Sequence, residues 1–108
     1  MYFMKIKSLV FEDKTITKQF KINDILLSNN IQWMIDAEIE DAEIEIKNNT
    51  LIWKSGTWYS GTWYYGIWES GNFISGTWLN GIWEGGTFGK KGIFKSGIFN
   101  GDYVDKQQ

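Results

Sequence analysis

Cysteine, histidine, proline and arginine are all missing from this chain of 108 residues. Without cysteine there is no disulfide and no thiolate, whether as nucleophile or as metal ligand. Without histidine the usual general base and the commonest metal ligand are lost together. No apolar run approaches the ~20 residues that a membrane-spanning helix needs, so no membrane partner is expected. Residues 1–9 hold lysines but no continuous apolar stretch, so no secretory signal is expected. Eleven basic residues, all lysine, face thirteen acidic ones for a formal net charge of −2. That balance leaves no basic footprint for nucleic acid. There is no Walker loop, nucleophile elbow or dinucleotide fingerprint; G-x-x-x-x-G spacings recur, but no Gly-Lys-Ser/Thr follows them. The expectation is a protein that is not an enzyme and takes no cofactor.

What is present is aromatic: 18% of the chain, with seven tryptophans. The composition changes near residue 50, beyond which lie all twelve glycines and six of the tryptophans. From there a five-residue beat runs: Gly56-Thr57-Trp58-Tyr59-Ser60, Gly61-Thr62-Trp63-Tyr64-Tyr65, Gly66-Ile67-Trp68-Glu69-Ser70, and on through Gly86-Thr87-Phe88-Gly89-Lys90. Leu51-Ile52-Trp53-Lys54-Ser55 is the same unit without its glycine. A helix cannot read this text, because glycine at every fifth place costs about 1 kcal/mol each. Thr or Ile before Trp or Phe favours a short strand. A small polar residue and glycine then supply a corner. Alternation turns the aromatic to one side and its two neighbours to the other, giving the strand an inside and an outside.

This beat resembles the pentapeptide-repeat family, whose typical unit is Ala, a polar residue, Leu or Phe, and two variable residues. The resemblance covers residues 51–90, with Gly in the small inward place and Trp or Phe in the central one. Ala37-Glu38-Ile39-Glu40-Asp41 and Ala42-Glu43-Ile44-Glu45-Ile46 look like further units of it. It implies an all-β fold, a right-handed β-solenoid of short strands with four units per turn. The chain departs from the family at its centre, where Trp replaces Leu; overfilling a narrow core is costly. A flat array of hairpins with a ten-residue repeat is therefore the competing architecture.

The beat breaks at Lys90 and Lys91. Either Ile93 and Ile98 become central and Tyr103 returns to register, or one residue is bulged out and Phe94 and Phe99 are central. Before the repeat, Met4, Ile6, Ser8 and Val10 alternate with Lys5, Lys7, Leu9 and Phe11, and Glu12-Asp13-Lys14 makes a turn. Ile16, Phe20 and Ile22 share a parity, so an N-terminal hairpin is expected over residues 2–22, with one helical turn at 23–28. The expected division is an attachment segment, 1–30, and a repeat domain, 31–108.

Two acidic features invite chemistry. Asp36, Glu38, Glu40, Asp41, Glu43 and Glu45 could hold a hard cation. The plainer reading is a solvated strand face opposite Ile35, Ala37, Ile39, Ala42 and Ile44, and it is preferred. Glu69 and Glu84 could be a glycosidase pair, yet in a four-unit turn they fall on different faces. No metal site is assigned.

Under four units per turn, residues twenty apart stack, and the outward place after the aromatic forms columns. One holds Lys54, Ile74 and Phe94; the next Tyr59, Leu79 and Phe99; a third Tyr64, Glu84 and Val104; a fourth Glu69 and Gly89. Tyr59, Leu79, Phe99, Ile74, Phe94 and Tyr64 then form the candidate interaction surface, since exposed apolar stripes mark such surfaces. The expected role is structural or assembly work through other protein subunits, copies of itself or virion proteins. Glycine-tryptophan repeats of this look recur in phage and bacterial proteins, and a lysine-, isoleucine- and asparagine-rich composition fits a low-GC bacterium or its phage. The expected location is a virion, as a tail or head accessory component, or the cytoplasm of such a host. One alternative is a carbohydrate-binding or adhesin module using Tyr59, Tyr64, Tyr65 and any outward tryptophan on a surface glycan. Another is a regulatory protein-binding module.

Overall fold

Glu12 and Asp13 both carry positive φ, 53° and 64°, which is what a two-residue type I′ hairpin turn asks of its central pair. They join β1 (Ile6–Phe11) to β2 (Lys14–Ile16), with Phe11 opposite Lys14. The computed structural model describes residues 5–100. The expectations placed on Met4, Tyr103 and Val104 lie outside the described residues.

The hairpin stops sooner than its parity implied. Phe20 and Ile22, expected on its second strand, belong to helix α1 (Gln19–Ser28). The helix also begins four residues before the single turn expected at 23–28. The reason is in the spacing: Ile22 and Leu26, four apart, bury one stripe, while Phe20 turns outward at 63% exposure. A second, short helix, α2 (Gln32–Asp36), follows and buries Met34.

The acidic run forms β3 (Glu38–Lys47), which pairs in parallel with β1 and antiparallel with β4 (Thr50–Ser60). Asn48 and Asn49, at φ 52° and 62°, reverse the chain between them. That reversal corrects one expectation: the Ala37 and Ala42 units are not a coil of the repeat. They do keep its inward pattern, since Ala37, Ile39, Ala42, Ile44 and Ile46 are buried. Strict alternation would turn Ala42 and Ile44 outward if it began from Ala37 and Ile39. Asp41, at φ 55°, re-phases the strand, and the pairing with β4 skips from Glu40 to Glu43 there.

Beyond β4 the strands are short and pair only in parallel with the turn above or below. They are β5 (Thr62–Trp63), β6 (Ile67–Trp68), β7 (Asn72–Trp78), β8 (Ile82–Trp83), β9 (Thr87–Phe94) and β10 (Ile98–Phe99). Ile52 pairs with Ile67, and Ile67 with Ile82; Thr57 pairs with Asn72, and Thr62 with Thr77. Every step is fifteen residues, which is three units. The fold is a β-solenoid of about three turns. Parallel neighbours rule out the flat hairpin array. The turn has three units where four were expected, and the ring sizes supply the reason. Three indole or phenyl rings, meeting edge to face, already fill the cross-section of each turn.

The core shows this filling directly. Trp53, Trp68, Trp83 and Phe99 stack along one side, with centroids 4.5, 5.0 and 5.5 Å apart and planes within 16°. Trp58, Phe73 and Phe88 stack along the second, and Trp63, Trp78 and Phe94 along the third. These spacings bracket the strand separation in a sheet, about 4.8 Å. Within a turn the rings meet edge to face: Trp63 and Trp68 lie 5.6 Å apart at 78°. Each such pair contributes about 0.5–1.5 kcal/mol beyond the area it buries. The six repeat tryptophans are fully buried, and their indole nitrogens have no hydrogen-bond partner.

The corners explain the other recurring places of the unit. Gly66 sits at φ +121°, and a Cβ there would lie 2.7 Å from the carbonyl oxygen of Leu51 in the turn below. Only glycine permits both the angle and the approach. The serine before such a glycine is also used: Ser70 Oγ donates to the Lys54 carbonyl at 2.6 Å, and Ser96 Oγ to the Leu79 carbonyl at 2.7 Å. Main-chain bonds repeat on either side of each aromatic, as in Glu69 N to Trp53 O and Glu84 N to Trp68 O, both 2.8 Å.

The break at Lys90 resolves in favour of the bulge. Phe73 pairs with Phe88 and Ser75 with Lys91, so Gly89 and Lys90 together oppose Ile74. Thereafter Trp78 pairs with Phe94 and Trp83 with Phe99. The two phenylalanines are central, and Ile93 and Ile98 point outward at 52% and 56% exposure.

Candidate functional site

Three units per turn redistribute the expected columns. On the first face the outward places hold Ile52, Ile67, Ile82 and Ile98 beside Lys54, Glu69 and Glu84. On the second they hold Thr57, Asn72 and Thr87 beside Tyr59 and Ile74. On the third they hold Thr62, Thr77 and Ile93 beside Tyr64, Leu79 and Lys95.

Of the six residues expected on one surface, Tyr59 and Ile74 share a face, and Tyr64 and Leu79 share another. All four are exposed, between 36% and 45%. Tyr59 and Leu79, expected in one column, stand on different faces. Phe94 and Phe99 are corrected: they point inward, stacked on Trp78 at 5.7 Å and on Trp83 at 5.5 Å. The isoleucine column was missed, although a spacing of fifteen in place of twenty would have revealed it. Glu69 and Glu84 also need correction, since fifteen residues is one full turn and they are exposed neighbours on one face.

The acidic run begins with Asp36 at the end of α2 and continues along β3. Asp36, Glu38 and Asp41 are exposed, while Glu40, Glu43 and Glu45 are half-buried. Several of its carboxylates are engaged: Glu43 with Lys7 at 3.5 Å, Glu45 with Lys54 at 3.2 Å, and Glu40 with the Tyr59 hydroxyl at 2.7 Å. That last bond holds the Tyr59 phenol proton and raises its pKa above the ordinary 10.0, helped by partial burial and by the charges of Glu40 and Asp41. Lys5, whose ammonium donates to the Ile35 carbonyl, is lowered by burial, against the pull of Asp36 and Glu38. Among the described residues no group of three or more acidic side chains is placed to hold a metal ion.

Trp33 was the tryptophan outside the repeat, and sequence reasoning gave it no role. It sits on α2 at the start of the solenoid, half-buried. Its ring lies 5.2 Å from Trp63, 5.6 Å from Tyr64 and 5.5 Å from Tyr65. Tyr65 is tied back to the Asn30 carbonyl by its hydroxyl at 3.3 Å. Beside Trp33 opens a cleft of about 150 Å³ lined by Trp33, Asp36, Ala37, Gly61, Thr62 and Tyr64. A larger and more polar cleft, about 460 Å³, lies between the two hairpin turns and includes Glu12, Asp13, Asn48 and Asn49. A third, about 390 Å³, runs beside the β3 bulge and is lined by Lys5, Ala37, Glu38, Ile39, Glu40 and Tyr59.

Among the helices described, none is long and apolar enough to cross a membrane. Comparisons with family models, curated proteins and solved structures find no match to this chain; its β-solenoid stacking of about three turns is compatible with a repeat-protein resemblance.

Proposed function

We propose that this chain is a non-enzymatic structural or assembly protein whose solenoid faces pack against other protein subunits. The observation that carries the reading is the outward placement of large apolar side chains on two faces: Tyr59 and Ile74 on one, Tyr64, Leu79 and Ile93 on the other. The interior is already filled by stacked rings, so these side chains are not needed there. Aromatic and aliphatic side chains on an outer face favour protein interfaces. Copies of the chain, or the proteins of a larger assembly, are the partners. A virion, with this chain as a tail or head accessory component, is the setting we put forward by analogy of repeat, and fold alone does not fix function.

Solution mass by size exclusion with light scattering, over a range of concentrations, tests the reading. The expected result is a defined oligomer or a growing polymer that the double variant Ile74→Lys, Leu79→Lys disperses while its circular dichroism stays native. A native chain that is monomeric at every concentration sinks the self-association form of the proposal.

A carbohydrate-binding module is the second reading, favoured by the meeting of Tyr64 and Tyr65 with Trp33 at the start of the third face. Flat isotherms across a broad glycan panel count against it.

A further inference from the structure

Trp33 differs from the other tryptophans in one physical respect. The six in the repeat are at 0% exposure, whereas Trp33 is only half-buried. Next to it Tyr64 is 45% exposed. Both line the small cleft, together with Asp36 and Thr62, and no lysine lines it. Lys5, whose ammonium feels the Asp36 charge from outside that lining, is itself held by the Ile35 carbonyl. The cleft thus brings together two aromatic residues and one acidic residue, with no basic residue in its lining. At about 150 Å³ it is below the ~300–1,000 Å³ of a site for a drug-sized ligand. It has room for one head group.

The geometry points to this cleft, bounded by Trp33, Asp36, Thr62 and Tyr64, as a binding site for an alkylated ammonium head group. Aromatic faces attract such a cation through their quadrupole, and methyl groups lower its cost of leaving water compared with a bare ammonium. Asp36 supplies the opposite charge at the rim, and Thr62 offers a hydroxyl. A sugar would also meet rings and a carboxylate here. It has no positive charge to use, however, and the lining holds neither an amide nor a basic side chain for its remaining hydroxyls. This inference is independent of the packing role, because none of the lining residues except Tyr64 belongs to the outward apolar rows.

The test uses the whole chain, uniformly ¹⁵N-labelled, and follows the Trp33 indole N–H, assigned by its disappearance in Trp33→Phe. Choline is titrated against its uncharged carbon isostere, 3,3-dimethyl-1-butanol, and against methyl glucoside. The expected result is a saturable choline shift in the ~1–10 mM range reasonable for one small head group. The isostere should bind at least tenfold more weakly. Asp36→Asn, on an exposed side chain, should weaken choline roughly fivefold or more with the rest of the spectrum unchanged. Tyr64→Leu should do the same while leaving the isostere unaffected. Equal binding of choline and the isostere overturns the inference, because the cleft is then merely apolar. A shift with glucoside and none with choline overturns it in favour of a sugar. Absence of any saturable choline shift by about 100 mM, tenfold above the expected range, overturns it outright.

Discussion

Trp53 and Trp68 stack 4.5 Å apart with their planes 7° from parallel, the tightest ring pair in the solenoid, and each is fully buried. Trp68 also stacks on Trp83 at 5.0 Å in the next turn. Removing its ring therefore opens a void with aromatic surface above and below.

Trp68→Ala should cost about 3–5 kcal/mol, the usual range for emptying a large aromatic site. Trp68→Phe should cost well under half of that. Phenylalanine already fills the equivalent place at Phe73 and Phe88, and the change removes an indole N–H that has no partner. Urea midpoints for the two variants check this. Equal losses for Ala and Phe would mean that ring stacking does not hold the turns together.

Gly66 and Gly85 offer a matched pair at the corners. Gly66 has φ +121°, and a Cβ would meet the Leu51 carbonyl oxygen at 2.7 Å. Gly85 has no such angle, and a Cβ would meet only the Glu69 carbonyl oxygen, at 3.1 Å. Gly66→Ala is expected to cost about 1–3 kcal/mol through backbone strain and to lower Tm clearly. Gly85→Ala should stay within ~1 kcal/mol of the native chain, since alanine also restricts the unfolded state. The two melting curves, measured side by side, decide it; coincident curves would remove the corner argument.

How far these features were legible in advance depends on what each one rests upon. The beat of Gly, Thr or Ile, and Trp is local, so the short strands and the inward rings could be read directly from Gly56 onward. The number of units per turn is not local. Five residues per side suits three sides or four, and only the volumes of Trp53, Trp58 and Trp63 meeting edge to face select three. From that single quantity came the misplaced columns; the outward placement of Phe94 and Phe99 came instead from carrying the five-residue count past the bulge at Lys90. Phe20 and Ile22 failed differently: their spacing from Ile16 suits a strand or a helix, and burial of Ile22 and Leu26 chose the helix. Trp33 gave no signal because its neighbours, Tyr64 and Tyr65, are about thirty residues away.

The bulge at Gly89 and Lys90 makes a prediction about register. Two residues there face Ile74 alone, so the chain carries one residue more than the beat requires. Deleting Lys90 should restore a spacing of fifteen between Trp78 and Phe94 and keep both rings inward. Deleting Tyr65 instead takes a residue from a unit with none to spare, and a one-residue slip turns side chains to the wrong face. The first deletion should unfold cooperatively within about 1–2 kcal/mol of the native chain, the usual effect of a tolerated change. The second should lose cooperative unfolding. Near-ultraviolet circular dichroism, dominated by the stacked indoles, reports both. A Lys90 deletion that loses that signal would show that the bulge is needed for the last turn.

The bond from Tyr59 to Glu40 predicts how one tyrosine titrates. The Glu40 carboxylate accepts the phenol proton at 2.7 Å, and the Tyr59 pKa is raised above 10.0 by that bond first, then by burial and nearby negative charge. The folded chain therefore binds the proton more tightly than the unfolded one. Whatever stability this adds is present in full below the unfolded value and is lost as pH rises through the folded one. Because Tyr59 is exposed, the effect should register in its titration more than in overall stability. Alkaline titration followed by tyrosinate absorbance should show one phenol ionising late. That late step should disappear in Tyr59→Phe and move back toward the ordinary value in Glu40→Gln, which removes the negative acceptor but keeps the shape. If the titration curve of Glu40→Gln superimposes on that of the native chain, the bond does not control the Tyr59 proton.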